Sequence, residues 1–122
     1  MYKTRLDPAN ANPVELEGVH GVSMRVLLGR EHGMPNFSMR HFVIEPDGHT
    51  PHHSHDYEHQ VMVVAGAGEA EHDGETNAIT KGDVLFVEPG KPHQFRNTGS
   101  EPLEFLCLVP KFRQNGGEVP GS

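Results

Sequence analysis

Between residues 22 and 110 the chain offers only short β-rich runs: 22–28 (VSMRVLL), 37–45 (FSMRHFVIE), 60–65 (QVMVVA), 83–87 (DVLFV) and 103–110 (LEFLCLVP). Turn signals separate them: PDGHTP, AGAG, HDGE, KGD, EPGKP and NTGSEP. With 14 glycines and 10 prolines in 122 residues, helical segments of bundle length are excluded. Strands joined this tightly form hairpins, and a small all-β domain hides its edges by closing into a sandwich or barrel. We therefore read one all-β domain with an extended arm at 1–21, a barrel at 22–110 and a tail at 111–122. The arm carries Pro8, Pro13 and several asparagines without apolar period. The tail, ending RQNGGEVPGS, is expected to be flexible, frayed and outside the fold.

Lys and Arg number 10 against 17 Asp and Glu, a formal charge of -7. That sign repels a phosphate backbone, so no nucleic-acid partner is expected. The longest apolar stretch, VMVVAGA at 61–67, falls far short of a bilayer span, and the N-terminal MYKTRLDPANANP has no apolar signal core. A cytoplasmic protein with no membrane contact is expected. Only 34% of residues are hydrophobic and Cys107 is the lone cysteine, so reinforcement of a modest core falls to metal or self-association. A homodimer is expected, because the arm has no obvious place to pack within one barrel.

The sequence holds 10 histidines, five of them, His49, His52, His53, His55 and His59, crowded together. Strand alternation would point His53 and His55 to one face, with His59 rejoining it and Val61 and Val63 following inward. A His-x-His pair sets two imidazoles for one divalent ion, and the EPGKP turn delivers His93 from a separate hairpin, sharing parity with Phe95. We assign His53, His55, His59 and His93 as metal ligands. The alternative is a polar loop of titrating histidines, which we keep for His49, His52 and His72. His41 is expected at a sheet interface or in solvent, and His20 and His32 carry no signal.

The stretch GHTPHHSHDYEHQVMVVAG resembles the first cupin motif, with Gly48 one residue closer to the His-x-His pair than usual and Gly66 closing it. GDVLFVEPGKPHQFRN resembles the second, with Gly82, Gly90, His93 and Asn97 in step and Pro89 displaced by one. The flanking PNFSMRHFVIEPDG and EFLCLVP are similar to the small single-domain manganese cupins of thermophilic bacteria. The resemblance implies a single-domain cupin jelly-roll barrel, also called a double-stranded β-helix. The motif's usual glutamate falls at His59, so the implied sphere is four histidines, as in that subgroup. Glu58 should turn to the other face. Exchanging a carboxylate for an imidazole raises the charge of a divalent site by one, which strengthens its Lewis acidity.

Alternation in FLCLVP separates Phe105, Cys107 and Val109 from Leu106 and Leu108. The resemblance implies that the first set faces the interior, with the Cys107 thiol near the metal as a redox-sensitive wall; a small buried wall residue is the plainer and preferred reading. Arg40 can project inward and hold an anionic substrate or an oxygen species, or else lie on a solvated strand face. Arg40, Phe105 and Cys107 are thus the candidate catalytic residues. Four imidazoles on an octahedral ion leave two positions, for a small organic substrate and dioxygen or peroxide. That suits a dioxygenase-like oxidoreductase performing oxidative cleavage. The resemblance implies Mn2+ first and Fe2+ next, while imidazole also accepts Ni2+, Cu2+ or Zn2+. Alternatives are a cupin isomerase or decarboxylase, and a non-catalytic module that binds a small ligand or metal.

Overall fold

Turn chemistry sets the hairpins. Asp73 and Gly74, at φ 51 and 85, make a two-residue turn that brings His72 opposite Glu75, the backbone that an Asp-Gly pair favours. The structure, a computed structural model, describes residues 1–122. Its strands are β1 Asn12–Pro13, β2 His20–Leu28, β3 Phe37–His49, β4 His59–Ala65, β5 Ala67–His72, β6 Glu75–Thr80, β7 Val84–Val87, β8 His93–Arg96 and β9 Leu103–Pro110. All pairings are antiparallel, in the order β6-β5-β8-β3-β9-β4-β7, with β2 on β3 and β1 on β2. The curled sheet is the expected all-β jelly roll.

Alternation places the core. On β4, His59, Val61 and Val63 are buried while Gln60 and Met62 are exposed; on β9, Leu103, Phe105, Cys107 and Val109 are buried. The Phe105 ring packs 5.2 Å from Phe42 and 4.7 Å from Phe95 between centroids, which fills the barrel between β3, β8 and β9. Phe105 and Cys107 therefore share the inner face, as their parity and the resemblance together imply.

Three features differ from the sequence reading. First, β3 continues through PDGH to His49, with Asp47 at φ 68. The backbone N–H of Asp47 donates to Asn97 O, and that of Asn97 to Gly48 O. The turn signal there is a kink inside a strand. Second, β5, β6 and β8 carry too little apolar alternation to be read as strands, since along β6 only Ile79 is buried. Third, both chain ends have places on this same barrel. Asn12 and Pro13 pair with Met24 and Ser23, and Val14 and Val19 pack on the core. At the other end Val119 is fully buried, its N–H donates to Lys111 O, and Glu118 meets Arg30 at 2.9 Å. One valine among polar residues gives no period to read.

Backbone contact makes two glycines unequal. A Cβ on Gly68 would lie 2.3 Å from Arg96 O, whereas Gly33 sits at φ 80 with nothing within 4 Å. Gly68→Ala is expected to cost about 2 kcal/mol or more, through forced separation of β5 from β8. Gly33→Ala should cost about 1 kcal/mol, for its left-handed backbone alone. Denaturant midpoints at unchanged m-value check this; equal losses would contradict the close approach.

Candidate metal centre

Residues 50–58 join β3 to β4 without regular structure. His53 and His55 therefore lie on a loop, which corrects the strand expected for them: Pro51 removes a ladder donor, and the loop is held from outside. The His53 N–H donates to His93 O at 3.2 Å and the His93 N–H returns to His53 O at 2.9 Å. The Gly90 N–H, in the EPGKP turn, donates to His55 O at 2.7 Å. His59 opens β4 and His93 opens β8.

Four imidazoles converge on this frame. Ring centroids lie 5.2 Å apart for His53–His55, 4.9 Å for His53–His93, 4.8 Å for His55–His93, 4.6 Å for His55–His59 and 5.3 Å for His59–His93. One ring nitrogen each from His53, His55 and His93 falls within 4.8 Å of the other two, a set able to hold a metal ion. His59 stands outside that trio but sets its Nε2 2.9 Å from His55 Nε2. Two neighbouring donors at right angles on an ion with roughly 2.1 Å bonds would be about 3 Å apart. The donor set fits a divalent transition metal.

Hydrogen bonds prepare the rings. His55 Nδ1 lies 2.7 Å from Tyr57 O and His93 Nδ1 lies 2.9 Å from Lys91 O. A carbonyl only accepts, so each Nδ1 carries the proton and each Nε2 keeps its lone pair. His59 Nδ1 lies 3.2 Å from Cys107 Sγ, which also accepts from Arg40 Nη2 at 3.3 Å. Burial, the largest cause at each ring, holds all four below the usual histidine range. His55 falls to about 4, with His93 as the next cause, and His59 to about 2, with the Arg40 guanidinium next. Burial pushes the Cys107 thiol up, so it stays protonated.

The cluster opens into a cavity of about 630 Å³. Arg40, Phe105 and Cys107 all line it, and Arg40 is 9% exposed. Sequence reasoning missed two residues of its lining. Tyr57 stacks on His55 at 3.8 Å, and Arg113 lies over Tyr57 at 5.1 Å and pairs with Asp56 at 2.8 Å. Tyr57 sits inside the motif loop and was open to notice; Arg113 stands in the segment read as tail and gave no signal. The remaining histidines stay apart. His52 pairs with Glu71, His72 accepts from the Glu88 N–H, and His49 lies beside His20. His41 is fully buried, bonded to Glu104 at 2.8 Å, rather than in solvent. Glu58 is exposed.

The pH dependence has a definite sign. An imidazole whose folded pKa lies below its ordinary value of 6.5 takes up fewer protons than the unfolded chain does. Stability is then fully present above about pH 6.5 and is lost as pH falls toward the folded value. The chelator-treated protein should lose melting temperature between about pH 7 and 5. His55→Gln/His59→Gln should flatten that slope; an unchanged slope in the double variant would contradict it.

A family model described as a cupin domain matches residues 40–109. The 1-methylthio-D-xylulose 5-phosphate methylsulfurylase of Rhodospirillum rubrum is 34% identical over 71 residues, covering 58% of this chain and 46% of that one. The oxalate-binding protein of Thermotoga maritima is 34% identical over 58 residues, 47% of this chain and 48% of that one. The matches thus span about half the length of these relatives. Among solved structures, the polyketide cyclase RemF of Streptomyces resistomycificus superposes with TM-score 0.81 at 26% identity, over 99% of this chain and 88% of that one. A cupin 2 domain-containing protein of Halorhodospira halophila gives 0.71 at 35% identity, over 80% and 69%. With its jelly roll, its histidines converging from the 50–58 loop, β4 and β8, and a family model matched across all three, the chain belongs to the cupin family.

Proposed function

We propose that this cupin is a metal-dependent oxidoreductase that cleaves a small, partly apolar organic substrate in a dioxygenase-like reaction. The observation that carries the reading is the cluster of neutral imidazoles open to a cavity with aromatic walls. His53, His55, His59 and His93 would hold the ion, Mn2+ first and Fe2+ next. When bound, such an ion supplies Lewis acidity and redox exchange with dioxygen. The chain's own residues do the rest. Phe95 and Phe105 present apolar surface, and burial keeps the ligand imidazoles deprotonated. Cys107 Sγ lies within hydrogen-bond reach of His59 Nδ1, a contact that orients that ring, so Cys107 acts as a positioning residue. In cleavage of a carbon–carbon double bond, one O2 is consumed and each carbonyl product takes one oxygen atom.

A non-catalytic ligand-binding module is the second reading, favoured by the relative named as an oxalate-binding protein. A cytoplasmic homodimer completes the proposal. The lone reduced thiol supports the compartment, and exposed Met62, Val84 and Phe86 along β4 and β7 support self-association.

Metal content and oxygen uptake test both readings. His55→Ala and His93→Ala should lose most bound Mn2+, because they would hold the ion from the loop and from β8. His53→Ala should lose least, since His53 is the exposed member of the trio, while His52→Ala and His72→Ala keep the full complement. The Mn2+- or Fe2+-loaded protein should consume oxygen with diketones, enols or styrene-like alkenes. Full occupancy in His55→Ala and His93→Ala would overturn the ligand assignment, and metal without oxygen uptake across the panel would favour the binding module.

A further inference from the structure

Arg40 is a buried cation that this chain does not neutralise. It is 9% exposed, forms no ion pair with any carboxylate, and its Nε has no hydrogen-bond partner. Its contacts are the weak acceptor Cys107 Sγ at 3.3 Å and the face of Phe42 at 5.1 Å. A charge removed from water without a counter-charge is costly, and a guanidinium presents a fork of donors suited to a carboxylate. The surrounding cavity sharpens the point. The chain has 17 acidic residues and a net charge of -7, yet no aspartate or glutamate lines this cavity. Its charged lining is Arg40 and Arg113, and Arg113 is already paired with Asp56. One unpaired cation matches one negative charge. Part of the lining is apolar and comes from the arm, through Val14, Leu16 and Val19, with Val22 and Met24 of β2.

We infer that the cavity takes a small organic monocarboxylate, its charged end on Arg40 and its apolar body along the N-terminal arm. The inference rests on reading this cavity as the substrate site and deepens it by naming the substrate class. The arm, through Leu16, then sets how bulky the apolar body can be.

Calorimetric binding of phenylacetate, phenylacetamide and acetate tests this, on chelator-treated protein and on protein loaded with redox-inert Zn2+. The intact chain should prefer phenylacetate over phenylacetamide by about tenfold or more in both forms. Arg40→Met should abolish that preference while leaving phenylacetamide within about twofold. Leu16→Ser should weaken phenylacetate but not acetate. Preference that survives in Arg40→Met, or that appears only with Zn2+ and survives there, places the carboxylate on the ion and overturns the assignment. Should Arg40→Met fail to fold, the Arg40 Nε–Hε resonance of the unaltered protein decides: it should shift with phenylacetate and stay with phenylacetamide, and no shift with phenylacetate overturns the inference. None of these measurements requires oxygen chemistry, so the anion site can stand where oxidative cleavage fails.

Discussion

Two backbone hydrogen bonds exchanged between His53 and His93 hold the centre together. Loops with functional side chains are ordinarily mobile, and residues 50–58 have no ladder of their own. Tying His53 to the first residue of β8 transfers the rigidity of the barrel to the loop, because β8 is itself fixed on β5 through four residue pairs. The Gly90-to-His55 bond adds a second tie from the same turn. Three imidazoles, two from the loop and one from β8, thereby share one small volume, and the backbone ties bear much of the entropy of ordering them.

Much of this was legible in the sequence. The alternation of β9 is regular, with a buried residue at every second position, so Phe105 and Cys107 read as sharing one face, and the cupin resemblance chose that face as the inner one. His93 was found because it follows a proline-glycine turn and shares parity with Phe95. His53 and His55 were found for a partly mistaken reason: the His-x-His spacing was taken as strand parity, whereas backbone hydrogen bonds to Gly90 and His93 hold the loop that carries them. What stayed hidden has no local signal. The tail joins the apolar core through Val119, with Ser122 also buried, and Arg113 reaches the cavity lining only because that segment folds back. Tertiary contact, not periodicity, fixes both.

Charge separation ties the site to the rest of the molecule. The carboxylates pair across the outer surface, as in Glu69 and Glu71 with Arg96, while the interior keeps neutral imidazoles and the Arg40 cation. Each supports the other: burial favours neutral histidine, and the nearby guanidinium further penalises protonation of His59. The same guanidinium donates to Cys107 Sγ, which touches His59 Nδ1. Arg40, Cys107 and His59 thus form one buried chain of contacts from a cation to a candidate ligand.

The most direct test of the four-histidine centre is the 15N spectrum of histidine-labelled protein during titration with the diamagnetic ion Zn2+. Coordination through Nε2 should shift the ring nitrogens of His53, His55, His59 and His93 together, complete at one ion per chain, with His41, His52 and His72 unmoved. Shifts confined to surface histidines such as His52 and His72, or continuing past stoichiometry without saturation, would contradict a metal centre at this cluster.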